Sequence, residues 1–225
     1  ISTEYYIQGL RLYLESGYFP FPYTFHKNIK KIPPGHYFTY DKNGLEINQY
    51  WSINNFHTNK NWLNRKEDDL LDELDDLFLK SVTSRMVSDV PVGAFLSGGI
   101  DSSLVVAMMK KHKNKAIKTF TIGFNEKEYD ESETSSEIAN YLGTDHLCEK
   151  LSVDSLLSLF PEFIKNFDEP FFDSAAFPTL AVSKLAKKKV SVVLTGDGGD
   201  ELFGGYHYYK IARLLNALQN SPSIV

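Results

Sequence analysis

Two stretches hold most of the residue types that can do chemistry. Ser97-Gly-Gly-Ile-Asp-Ser-Ser103 sets hydroxyls and a carboxylate around paired glycines, and Thr195-Gly-Asp-Gly-Gly-Asp-Glu-Leu-Phe-Gly-Gly-Tyr206 carries five glycines and three carboxylates in twelve residues. Paired glycines let a backbone approach an anion with no side chain in the way, and the first amides of a following helix aim free N–H groups at the same spot. The first stretch therefore reads as a phosphate cradle. Its spacing is neither GxxxxGK[ST], because no Lys follows Gly99 before the helix, nor GxGxxG. Carboxylates beside a polyphosphate repel it unless a divalent cation lies between, so Asp101 and Asp200 suit direct or water-mediated Mg²⁺ ligands. Together the two stretches predict Mg-ATP.

The elements that must position these loops are legible around them. Val92–Leu96 reads as a buried strand, and Leu104 to Met109 is an apolar run suited to a helix packed on a sheet, with Asp101 and Ser102 as N-cap candidates. A second strand is expected over residues 115–124, a helix over 132–142 with Gly143 as its C-cap, a strand over 145–151, and helices at about 153–166 and 174–188. Val190–Leu194, dense in β-branched residues, reads as a fully buried strand ahead of Thr195. Strand and helix in alternation imply an α/β fold, a parallel sheet with helices on both faces, in which ligands bind beyond the carboxyl ends of the strands. Upstream, residues 3–15 form an amphipathic helix closed by Gly17, and His36–Tyr40 with Leu45–Trp51 form a hairpin whose edges would need more sheet to pair with. The polar stretch 52–65 looks like a linker, and residues 66–88 a long helix with an apolar face (Leu70, Leu71, Leu74, Leu77, Phe78, Val82, Met86) and a solvated acidic one.

Composition bounds the function. The chain has 225 residues, 42% of them hydrophobic, and a net charge of −5 with no basic stretch denser than Lys187–Lys189, so nucleic acid is not the expected partner. One cysteine, Cys148, rules out an internal disulfide and fits a reducing compartment; it is expected mid-strand as a buried, inert thiol. No apolar run approaches the length of a membrane span and no signal peptide opens the chain, which points to the cytoplasm. The six histidines lack metal spacing. Starting at Ile1 and stopping soon after a helical segment, the chain reads as a piece of a longer polypeptide.

With SGGIDSS at 97–103, FTIGF at 120–124, Asp168-Glu-Pro170 and TGDGGDELFGGY at 195–206, the chain resembles the synthetase domain of the glutamine-hydrolysing asparagine synthetases, class II amidotransferases of the PP-loop ATP pyrophosphatase type. GYFPFPYTFHKNIKKIPPGHY at 17–37, with QYW after it, resembles the tail of that family's glutaminase domain. The resemblance implies residues 1–55 as the glutaminase tail and linker and 56–225 as the ATP-binding synthetase domain, truncated at its C-terminus. It implies ATP-dependent amidation of aspartate through β-aspartyl-AMP, with ammonia supplied from glutamine by a domain absent here, and it admits a homodimer. It places pyrophosphate on Ser97, Gly98, Gly99, Asp101 and Ser102, adenosine near Leu96 and Ile122, and AMP on the backbone of Thr195 and Gly196. Asp197 falls where a carboxylate serves adenylate formation or attack, Asp200 near pyrophosphate and Mg²⁺, and Asp168-Glu-Pro170 in or beside the aspartate pocket.

The chain departs from the family by beginning with Ile1 where a glutaminase carries a nucleophilic cysteine, so this piece is expected not to hydrolyse glutamine. A downstream lysine of the family, which neutralises pyrophosphate, would lie past Val225, so the isolated fragment is not expected to be active by itself. Three other readings stay open. One is an amidotransferase of the same architecture acting on another carboxylate, such as a sugar uronic acid. Another is a nucleotide-binding assembly module without turnover. A third and weaker one is a β-lactam-forming synthetase, which would not use ammonia.

Overall fold

The aromatic-rich N-terminal stretch folds around α1 (Ile7–Ser16), which Gly17 ends at φ 78°, in the left-handed region that glycine enters without strain. The computed structural model describes residues 4–56, 64–113 and 116–219. It divides the chain into two units, Ile1–Leu71 with Ser158–Phe177, and Asp72–Leu157 with Pro178–Val225. In the first, Tyr13 of α1 stacks on the buried Phe19 at 5.4 Å. The expected hairpin is present as β1 (His36–Asp41) and β2 (Gly44–Gln49), with Asp41 opposite Gly44 and Asn43 N donating to Asp41 Oδ1 at 2.8 Å. It pairs only with itself among the described residues, and Phe38, Tyr40, Leu45 and Ile47 on one of its faces are exposed. Of the expected linker, residues 57–63 lie outside the described residues.

In the second unit, α2 (Glu67–Arg85) buries less of its apolar face than its periodicity suggests. Val82 and Met86 are buried with Phe78 and Leu79 beside them, whereas Leu71, Leu74 and Leu77 are exposed, because the core meets this helix only from Phe78 onward. Next come β3 (Val92–Phe95), α3 (Ile100–His112), β4 (Lys118–Phe124), α4 (Ser132–Leu142), β5 (Asp145–Leu151) and α5 (Val153–Leu157). Of the strand expected from residue 115, that first residue lies outside the described set and pairing begins at Lys118. The single helix expected over 153–166 is two, α5 and α6 (Phe160–Asn166), since Pro161 near the start of α6 has no N–H with which to continue the earlier helix. The chain ends with α7 (Ala176–Lys187), β6 (Val192–Leu194), α8 (Gly199–Phe203) and α9 (His207–Gln219).

The sheet runs β5-β4-β3-β6, every pairing parallel, with Ala94 opposite both Thr119 and Leu194. Alternate residues of each strand feed opposite faces. Ala94 and Leu96 pack with Val105, Val106 and Met109 of α3 and with Ala139 of α4. Phe95, Phe120, Leu147 and Val193 pack with Val182, Leu185 and Ala186 of α7. Helices on both faces of a parallel sheet are what the alternating sequence predicts. Two strand expectations need correction. β6 is shorter than expected and Val192 is partly exposed, because β3 is its only neighbour among the described residues. Cys148 lies on β5 as expected, but β5 is the opposite edge strand and the thiol is exposed, not buried; partial desolvation still pushes its pKa up. No described helix is long and apolar enough to cross a membrane.

Phe120 is fully buried against α7, so Phe120→Ala should cost about 3–5 kcal/mol in a urea unfolding titration. His146, whose Nδ1 lies 2.9 Å from the buried Thr119 hydroxyl, is held by burial below its usual pKa. Protonation then favours the unfolded chain, so this contribution is complete above about pH 6.5 and shrinks as the pH falls below it. Between pH 7.5 and pH 5 the melting midpoint of the wild type should therefore drop further than that of His146→Gln.

Candidate functional site

β3 and β6 are parallel neighbours, so the loops after them leave the same end of the sheet. That end is also where the strand order reverses, with β4 on one side of β3 and β6 on the other. The two loops touch. A Cβ on Gly196 would stand 2.7 Å from Ser102 N and 3.0 Å from Asp101 Cβ, and one on Gly199 would overlap the Asp101 carboxylate. Side chains at 196 and 199 are thus excluded by Asp101, ninety-odd residues earlier in the chain.

Within the first loop, hydroxyls organise the backbone. Ser97 N and Ser97 Oγ both lie against Ser102 Oγ, at 3.2 and 2.9 Å, Gly99 N donates to Ser97 Oγ at 3.2 Å, and Ser103 Oγ donates to Gly99 O at 2.7 Å. The N-cap of α3 is Gly99, in extended backbone, and neither Asp101 nor Ser102 caps the helix. Both sit in its first turn, where the Ser102 hydroxyl is drawn back to Ser97 and the Asp101 carboxylate faces the second loop. In that second loop, Gly198 at φ 91° starts α8, and Thr195 Oγ1 donates to Asp197 Oδ2 at 2.9 Å. Asp200 folds onto its own turn: Gly204 N and Gly205 N donate to its carbonyl at 2.9 and 3.1 Å, and its carboxylate fills the space a Cβ on Gly205 would need. Tyr206 donates to Glu201 Oε1 at 2.8 Å, and this bond to a carboxylate pushes its phenol pKa up to about 12.

Ser97, Gly98, Gly99, Asp101, Ser102, Thr195, Gly196, Asp197 and Asp200 therefore lie on two loops at one end of the sheet. Leu96 and Ile122 differ from them and from each other. Leu96 is buried in the α3-side core, while Ile122 packs on the α7 side. Glu169 lies in the other unit, where it accepts Phe25 N at 3.1 Å and pairs with Lys31 at 2.6 Å, the work of a structural brace.

Two residues that sequence reasoning passed over join the site. Asp130 Oδ1 accepts Phe124 N and Ser132 N at 3.2 and 3.1 Å, and its Oδ2 pairs with Lys150 at 2.8 Å; the Lys150 ammonium and the Ser132 bond hold its carboxyl well below the usual range. Asp130 thereby ties the end of β4 to the start of α4. Glu131, next in the chain, accepts Gly98 N at 3.3 Å through Oε2. Their only sequence signal is an acidic pair just ahead of a serine-started helix.

The donors on these loops are hard oxygens: carboxylates, hydroxyls and carbonyls. Among the described residues no three His, Cys, Asp or Glu gather as a metal cage. One or two carboxylates completed by phosphate oxygens and water is the usual form of a magnesium site, so the donor set fits Mg²⁺ bound together with a polyphosphate. Alanine at Gly196 should force the loops apart and speed amide hydrogen exchange in both, over 97–102 as well as 195–200. At Gly99, where an added Cβ would meet only the Ser97 hydroxyl, at 3.2 Å, alanine should leave exchange nearly unchanged.

Comparison with known proteins gives the family of the chain. Over residues 73–223 the chain matches the family model for asparagine synthase. It is 37% identical over 217 residues to asparagine synthetase [glutamine-hydrolyzing] 1 of Bacillus subtilis, covering 96% of this chain and 33% of that protein. It is 40% identical over 220 residues to a putative asparagine synthetase [glutamine-hydrolyzing] 2 of Methanocaldococcus jannaschii, covering 96% of this chain and 42% of that protein. Amidase chyE of Penicillium rubens is 31% identical over 217 residues, covering 89% of this chain and 32% of that protein. The chain thus spans about a third to two fifths of the length of these curated relatives. On the family match, which contains both glycine loops, the chain belongs to the asparagine synthase family.

Proposed function

We propose that this chain is the ATP-using part of a cytoplasmic enzyme that converts aspartate to asparagine. The observation that carries the reading is the contact of Gly196 and Gly199 with Asp101, which supports two loops acting on one triphosphate. In the reaction, an oxygen of the aspartate side-chain carboxylate attacks the α-phosphorus of ATP, the bond to the β-phosphate oxygen breaks, and β-aspartyl-AMP and pyrophosphate form. Ammonia then attacks the acyl carbon, AMP leaves, and a proton is lost to give the amide.

Positioning and charge neutralisation carry the first step. Ser97, Gly98, Gly99 and Ser102 would receive the pyrophosphate end through hydroxyls and backbone N–H groups. Thr195 and Gly196 would meet AMP through backbone, with Leu96 and Ile122, at the ends of the neighbouring strands β3 and β4, near the adenosine. Asp101 and Asp200 would hold Mg²⁺, which when bound supplies positive charge to the phosphates. Asp197, whose carboxylate is oriented by the Thr195 hydroxyl, would accept a proton from the attacking ammonia. Ammonia would come from a glutaminase domain whose tail and linker are residues 1–55, with 56–225 as the synthetase part; the exposed apolar face of the hairpin supports that assignment. A second reading is the same chemistry on another carboxylate; in its support, a relative 31% identical over 217 residues carries the name amidase and not asparagine synthetase.

The test uses the full-length protein and ATP labelled in the α-phosphate. Aspartate should raise AMP and pyrophosphate release well above the rate with other carboxylic acids. Asp101→Asn and Asp197→Asn should each lower that release by about 10²-fold or more, the range for a group acting on transition-state charge or proton transfer. Release of ADP, or turnover untouched by Asp101→Asn, would exclude the reading.

A further inference from the structure

The start of α4 forms a third wall of the phosphate cradle. Gly98 is pressed against it: a Cβ there would stand 3.1 Å from both Cβ and Cγ2 of Thr134 and 3.6 Å from Glu131 Cβ. Glu131 is fixed by what precedes it. Asp130 bonds to the end of β4, to Ser132 and to Lys150, and so sets where the following carboxylate emerges. From there Glu131 Oε2 accepts Gly98 N at 3.3 Å. Gly98 N is one of the amides that makes the loop an anion cradle, so a phosphate oxygen and the Glu131 carboxylate compete for the same donor.

We infer that Glu131 is a specificity-determining residue of the polyphosphate site, setting its preference for the magnesium-complexed over the free polyanion. This rests on the ATP reading above. A bare pyrophosphate or triphosphate entering the loop must displace one carboxylate from Gly98 N while remaining a few ångströms from it and from Asp101, and like charges at that range repel strongly even at a protein surface. A polyphosphate whose charge is largely cancelled by Mg²⁺ meets much less of this repulsion. Glu131 thus makes the site refuse the anion and accept its metal complex, without itself touching the reacting phosphorus.

The experiment is calorimetric titration of the full-length protein with inorganic pyrophosphate, once in excess EDTA and once in excess Mg²⁺, for the wild type, Glu131→Gln and Glu131→Ala. Glutamine keeps an acceptor for Gly98 N and removes the charge; alanine removes both. In EDTA both variants should bind pyrophosphate about five- to tenfold more tightly than the wild type, the scale of one screened like-charge repulsion. In Mg²⁺ the change should be under about twofold, so the preference for the metal complex collapses. Equal affinities for all three proteins in EDTA would overturn the inference, as would weaker binding by the variants in both buffers, which would make Glu131 a builder of the cradle. A wild type that binds pyrophosphate in neither buffer would overturn the ATP reading itself, and that outcome is separate from any effect of position 131.

Discussion

The close approach of the second glycine loop to Asp101 is the constraint on which the site depends. β3 and β6 are hydrogen-bonded neighbours in register, so the loops after Leu96 and Leu194 emerge side by side. They can come into contact only because positions 196 and 199 lack side chains, since any Cβ there would enter the space of Asp101 or of the Ser102 amide. Parallel pairing brings the loops together, and glycine allows contact. Neither is sufficient alone: an alanine at 196 in this sheet, or these glycines after a distant strand, would give no shared site.

The same loops are unusually acidic for a place that would bind a polyanion. Asp101, Glu131, Asp197, Asp200 and Glu201 all lie on them or on the adjoining start of α4. The structure handles these charges individually. Asp197 is oriented by Thr195, Glu201 takes the Tyr206 hydroxyl and Glu131 takes Gly98 N, while the Asp200 carboxylate packs against the bare Gly205. Most of the carboxylates thus have a definite local partner. An arrangement of this kind favours ligands that arrive with their own positive charge, which is how metal-complexed nucleotides differ from free ones.

Much of the architecture could be read in advance because its signals are local. Gly17 and Gly143 end helices in the left-handed region, as their positions after periodic apolar runs suggest. Asp41-Lys-Asn-Gly44 closes the hairpin at the anticipated place. Where expectation and structure part, a longer-range term intervenes. Pro161 splits one helix into two; Leu71, Leu74 and Leu77 stay exposed because the core begins further along α2; Cys148 and Val192 are exposed because their strands lie at the edges of the described sheet. Periodicity reports which residues could share a face, but it carries no information on where the partner surface ends.

By itself the sequence determined the strand-loop-helix unit around Ser97, the glycine-rich loop at Thr195, the alternating α/β order and the resemblance to the asparagine synthases, since each is written in contiguous residues. Only the tertiary structure decided that Gly99 and not Asp101 caps α3, that Asp101 is the side chain against which Gly196 and Gly199 must stay bare, and that Glu131 reaches Gly98. It also showed Glu169 to be a brace bound to Lys31 and Phe25. The physical reason is common to the last three. A hydrogen bond or an excluded Cβ between residues tens of positions apart depends on strand order and register, and those follow from the packing of both sheet faces together and not from any one segment.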